Sequence, residues 1–66
     1  MERDIRLDWP KIVAEAIRRR KEQGLTQEQL AILCGVSKPT VNNFEQGKTT
    51  LSLDSILKIL GPLGLA

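Results

Sequence analysis

Lys38, Thr40, Asn42, Asn43 and Gln46 fall within one short stretch, KPTVNNFEQ, and bring to it an ammonium, a hydroxyl and three carboxamides. A carboxamide donates and accepts at once, so Asn can bond an adenine edge through N6 and N7, while Lys can donate to guanine O6 and N7. Pro39 and Thr40 add apolar surface that suits a thymine methyl. This is the chemistry of recognition. Bond-making chemistry needs groups that the chain lacks: it has no histidine and a single cysteine, Cys34. That thiol has no base to activate it, no second cysteine for an intramolecular disulfide and no companions at metal-ligand spacing. We expect Cys34 to fill core. With no acid–base pair, metal cluster or phosphate-binding loop in view, neither an enzyme nor a metal or other cofactor is expected.

The elements around this stretch are those that would turn it outward. Thr26 is a good helix N-cap, and Gln29 stands where a capping box wants Glu or Gln, so each can satisfy a free backbone N–H of the other. Leu30, Ala31, Leu33 and Cys34 give the helix that follows an apolar face. Gly35 ends it by supplying a left-handed conformation that other residues resist. Ser37 offers a second N-cap, Val41 and Phe44 are inward positions, and Gly47 closes the unit. Lys38, preceding Pro39, is pushed away from the helical region, so this second helix can also start one residue late with Lys38 as its cap. Ala31 is small where the two helices would cross, and Val41 can fill the angle between them. The pattern over residues 26–46 is a helix-turn-helix.

Sixty-six residues make one small domain, and such a chain buries only about 60% of its unfolded surface. Asp8 reads as the N-cap of a first helix, with Pro10 in the first turn, where its missing N–H costs nothing. Trp9, Ile12, Val13, Ala16 and Ile17 form the stripe of that helix, which ends at Gly24, and Leu25 anchors the link onward. Ser52 can cap a fourth helix with Ile56, Leu57, Ile59 and Leu60 as its buried face. Gly61-Pro62 stops or bends it, leaving Leu63 to Ala66 as a short apolar tail. Residues 1–7 show no helical stripe and read as an N-terminal arm, either flexible or pairing as a strand with another copy. No apolar run approaches the roughly 20 residues of a membrane span and no signal peptide is evident, so the chain reads as cytoplasmic with no membrane partner.

Net charge is only +2, but its placement is informative. Arg18, Arg19, Arg20, Lys21, Lys38 and Lys48 outnumber Glu22, Glu28 and Glu45 across residues 18–48, whereas the flanks are slightly acidic or neutral. A polyanion would make counterion-releasing contacts there. Arg18 to Lys21 can equally form the solvated end of the first helix, favoured by its dipole.

Arg20, GLTQEQLA, GVSKPTV, FEQGK and Leu53 to Leu63 together resemble the Cro/C1-type, or XRE-type, helix-turn-helix family, over roughly residues 10–64. The resemblance implies an all-α fold: a compact four- to five-helix bundle of the lambda-repressor-like DNA-binding kind. It also implies sequence-specific binding to double-stranded DNA, commonly as a homodimer on a near-palindromic operator. The N-terminal half of the second helix of the motif would enter the major groove. Lys38, Pro39, Thr40 and Asn43 match the family's base-reading positions, with Asn42 a secondary candidate. Gln27 matches a glutamine that contacts the DNA backbone in the family, at a helix start whose N–H groups favour phosphate. Gln46, Lys48, Thr49 and Thr50 are further phosphate candidates. Arg20 and Glu45 match a pair that forms a structural salt bridge. Many members carry a fifth helix beyond the position of Leu63-Gly64, often with the dimer contact. Its lack here would shift dimerisation to another surface, to the apolar tail or to a partner.

Two functions fit this frame. One is a transcriptional regulator, a repressor that occludes a promoter, including its own. The other is the antitoxin of a toxin–antitoxin module, which binds a toxin protein and also autoregulates its operon. An unusually apolar exposed tail would favour the second.

Overall fold

A computed structural model describes residues 8–66; the N-terminal arm expected at 1–7 lies outside the described residues. Four helices and no strand make up the described part: α1 (Trp9–Glu22), α2 (Gln27–Cys34), α3 (Lys38–Glu45) and α4 (Leu53–Leu60). None is long and apolar enough to cross a membrane.

Each helix starts where a side chain accepts a free N–H of its first turn. Asp8 takes the Lys11 N–H, Thr26 that of Gln29, Ser37 that of Thr40 and Ser52 that of Ser55. In α2 the box is reciprocal, since Gln29 Oε1 accepts the Thr26 N–H at 2.9 Å. Gly35, at φ 74°, ends α2 in the left-handed region, and its neighbour's N–H returns to Ala31 O at 3.0 Å. This turn sets the angle between α2 and α3.

Lys38 departs from the restraint expected of Pro39, because it is the first helical residue of α3 and Ser37 is the cap. Ser37 O accepts from both Thr40 N and Val41 N, and its hydroxyl lies 2.8 Å from Thr40 Oγ1. Those bonds fix the first turn, where Pro39 has no donor to lose.

The core comprises Val13 and Ala16 of α1, Leu30, Ala31 and Cys34 of α2, Val41 and Phe44 of α3, and Ile59, Leu60 and Leu63 from the end of the chain. Ala31 and Val41 are both buried in it. Cys34 is a core residue, its Sγ 3.9 Å from Ile59 O, and burial pushes its thiol pKa up. Two residues expected inside are outside: Leu33 is 57% and Leu57 48% exposed. At about 100° per residue, each sits roughly 100° around its helix from the mean direction of the buried residues. The tail also differs from expectation, as Leu63 is 2% exposed and part of the core.

α1 is the spine to which the other segments are tied. At its start, the Trp9 ring meets Phe44 edge-on at 5.5 Å, and Trp9 Nε1 donates to Gly47 O at 3.0 Å. Near its end, Arg20 Nε donates to Glu45 Oε2 at 2.6 Å and Nη2 to Oε1 at 3.2 Å, while Nη1 reaches Leu25 O at 2.8 Å. The Arg20 and Glu45 side chains are only 12% and 8% exposed. Arg19 Nη1 donates to Leu63 O at 2.9 Å and to Gly64 O at 3.2 Å, which pins the tail. Glu15 in turn accepts from Arg18 Nη2 at 2.7 Å and from Arg19 Nε at 2.8 Å.

Two stability predictions follow from these ties. Arg20→Ala leaves a nearly buried carboxylate without its counter-charge, a loss of about 3 kcal/mol. In a chain of this size that lowers the thermal midpoint by more than about 10 °C in circular dichroism; an unchanged midpoint would remove the bridge from the account. The Glu15 carboxyl is held down from the usual 4.5 to about 2 by its bonds to Arg18 and then Arg19. A depressed carboxyl stabilises the fold fully above its unfolded pKa and loses that contribution as pH falls through its folded pKa. Glu15→Gln should therefore melt below the wild type at pH 6, with the gap closing between pH 4.5 and about 2. A gap independent of pH would exclude this source.

Candidate nucleic-acid interface

Val41 and Phe44, both 0% exposed, fix the rotation of α3 about its axis. At about 100° per residue, Pro39, Asn42, Asn43 and Gln46 then occupy the arc opposite the core, flanked by Lys38 and Thr40. Lys38, Pro39 and Gln46 are exposed, and Thr40, Asn42 and Asn43 are half-buried. The five candidate base-contact residues thus lie in the first six positions of α3. The Thr40 hydroxyl is engaged with that of Ser37, which leaves its methyl and the remaining lone-pair capacity of its oxygen to offer.

Gln27 is the first residue of α2 and lies next to this arc. It lines an open depression of about 360 Å³ together with Lys38, Pro39 and Asn42. Its side chain is not free. Gln27 Nε2 donates to Glu45 Oε1 at 2.9 Å, the oxygen that also takes Arg20 Nη2. A carboxamide nitrogen carries two hydrogens, so one remains for an acceptor outside the molecule. The bond also dictates which way the amide faces, since a carboxylate can only accept. The Thr26 hydroxyl takes the third N–H of α2 and leaves the Gln27 and Glu28 N–H groups at the start of the helix. Glu28, exposed beside them, brings a carboxylate to the same edge.

At the other end of α3, Gln46 is the C-cap, and the Lys48 N–H returns to Asn43 O at 3.2 Å. Lys48, Thr49 and Thr50 are exposed in the loop that follows. The Trp9 bond to Gly47 fixes where that loop begins.

The cluster of positive charge is smaller than the residue types suggest. Arg18 is paired with Glu15 and Glu22, Arg19 with Glu15 and the tail, and Arg20 with Glu45. Among the described residues, Lys21, Lys38 and Lys48 have no ion pair. No group of three or more His, Cys, Asp or Glu side chains among those residues could hold a metal ion.

Sequence reasoning missed three supports of this face: the Gln27–Glu45 bond, the Trp9 bond to Gly47, and the Arg19 anchor on the tail. Of these, only Trp9 carried a hint, since an indole N–H at the rim of a core usually finds an acceptor.

Residues 17–66 match the model of the helix-turn-helix family. Over 53 residues the chain is 40% identical to a protein of Haemophilus influenzae described as an uncharacterized HTH-type transcriptional regulator, a span of 80% of this chain and 54% of that protein. The chain therefore spans about half the length of this relative. With the family match covering most of its length, and four capped helices that bring α3 to the surface over Val41 and Phe44, the chain belongs to the Cro/C1-type helix-turn-helix family.

Proposed function

We propose that this chain is a sequence-specific DNA-binding transcriptional regulator, a repressor acting as a homodimer on a near-palindromic operator. The observation that carries the reading is the outward arc of α3, polar at Lys38, Asn42, Asn43 and Gln46, over the wholly buried Val41 and Phe44. Lys38, Pro39, Thr40 and Asn43 read base edges, with Asn42 secondary, and Gln27, Gln46, Lys48, Thr49 and Thr50 hold the phosphates on either side. Gln27 suits that role because its amide is already oriented by Glu45. The Haemophilus relative, described as a transcriptional regulator, supports the same reading. An antitoxin role has less in its favour, because the tail that would have suggested a toxin partner contributes Leu63 to the core.

The test is fluorescence-anisotropy titration with duplex DNA from upstream of the gene against a scrambled duplex, over a salt series. A strong preference for the upstream DNA supports an operator-specific regulator. Weak and equal binding to both, steep in salt, would reduce the interaction to phosphate contact. Asn43→Ala should cost about 1–3 kcal/mol on the preferred site and relax preference at one base pair per half-site. An equal loss on the scrambled duplex would count against base reading by Asn43. Gln27→Ala should weaken binding to all duplexes alike, and a changed base preference would overturn its phosphate role.

A further inference from the structure

The peptide group that joins Gly47 to Lys48 is held at both of its polar ends. Its carbonyl accepts from Trp9 Nε1 at 3.0 Å, and its N–H donates to Asn43 O at 3.2 Å. Gly47 sits at φ +79° with its own N–H on Phe44 O at 2.9 Å, so the chain leaves α3 through a Schellman turn. Such a turn satisfies the last carbonyls of its helix and provides nothing for the carbonyl of the glycine itself. The indole takes that carbonyl from 38 positions away. Its ring is seated edge-on at 5.5 Å against Phe44, which is wholly buried, so the donor is anchored in the core. A peptide group is planar, and a hold on each edge fixes its tilt. That tilt sets the direction in which Lys48 departs.

We propose that Trp9 is a positioning residue for DNA binding and acts through Lys48. Its bond to Gly47 holds the Lys48 backbone so that the ammonium meets a phosphate while α3 lies in the groove. For its ligand this role rests on the proposed function, which places Lys48 among the phosphate contacts. Lys48 is the charged side chain between Glu45 and Asp54, and it is exposed. Among the described residues, neither Thr49 nor Thr50 makes a hydrogen bond. The next hold on the chain is Leu51, packed against the core. The clamped peptide is thus the one directional restraint on the segment that carries the charge. A segment ordered before contact gives up less freedom on binding. Trp9 lies on α1 and Asn43 on α3, so one peptide group ties the phosphate-contacting loop to both.

The test is Trp9→Phe, which keeps a ring against Phe44 and removes the N–H donor. In the DNA-free, isotopically labelled chain, heteronuclear NOE values at Lys48, Thr49 and Thr50 should fall while those of α2 hold. Unchanged values at Lys48 would overturn the proposal whether or not the chain binds DNA. Anisotropy titrations with the upstream and scrambled duplexes then follow over a salt series, at a temperature where circular dichroism shows every variant folded. Trp9→Phe should weaken binding to both duplexes by the same factor. It should also flatten the slope of log K against log salt by about one, the signature of one lost phosphate contact. A purely structural role would lower the thermal midpoint and leave that slope alone, which would overturn the proposal. Lys48→Gln should flatten the slope equally, and the double variant no further; slopes that add would exclude the route through Lys48. The slope is readable on the scrambled duplex too, so a wild type without operator preference defeats the proposed function and not this role. A wild type that binds neither duplex would overturn both.

Discussion

The Glu45 carboxylate is the point on which the arrangement of this molecule turns. Its side chain is 8% exposed and accepts two bonds from Arg20 of α1 and one from Gln27 of α2. A charge so far out of water is tolerable only when paired and fully hydrogen-bonded. The three helices must therefore meet at one place, within the tolerance of hydrogen-bond geometry. Apolar packing of Val41 and Phe44 sets which side of α3 faces inward, but packing alone permits sliding and tilting. The carboxylate restricts both. It lies on α3 and still does not belong to the face proposed to read DNA; it locates that face and at the same time orients the amide of Gln27 beside it.

The rest of α1 serves the same end. Its first residue, Trp9, holds Gly47 just beyond α3, and its last turn holds Glu45, so α3 is gripped at two places along one spine. In a chain with few aromatic residues and a modest core, such directional ties supply definition that area burial does not. They also consume charge. Arginines that look from composition like an anion-binding cluster are engaged within the fold, and three lysines without ion pairs among the described residues, Lys21, Lys38 and Lys48, provide the positive edge that remains. In the proposed function, discrimination by such a surface would lean on the carboxamides and the short side chains of α3 more than on long-range attraction.

Local features were legible in the sequence and long-range ones were not. Asp8, Thr26, Ser37 and Ser52 could be recognised as caps because a cap is a contact between near neighbours, as are the Gln29 box and the Gly35 stop. Val41 and Phe44 followed from helical spacing. Leu33 and Leu57 did not, because on an eight-residue helix an apolar residue at the edge of the stripe is inside or outside according to its neighbour's position. For the start of α3 the sequence left two readings open, Ser37 or Lys38 as the cap, and the bonds gathered on Ser37 decide for Ser37. Trp9 and Gly47 are 38 positions apart, and Gln27 and Glu45 are 18 apart. No periodicity signals contacts of that kind. The Arg20–Glu45 pair was expected only through family resemblance.

The central claim is that the face of α3 located by Glu45, with the start of α2 beside it, is where DNA lies. Amide chemical-shift mapping of the isotopically labelled chain during titration with an upstream duplex tests it most directly. The account predicts that the largest shifts fall on Gln27, on Lys38 to Asn43 and on Lys48 to Thr50, with α4 little changed at a constant oligomeric state. Shifts centred on Leu53, Leu57 and Leu65, with α3 silent, would contradict it.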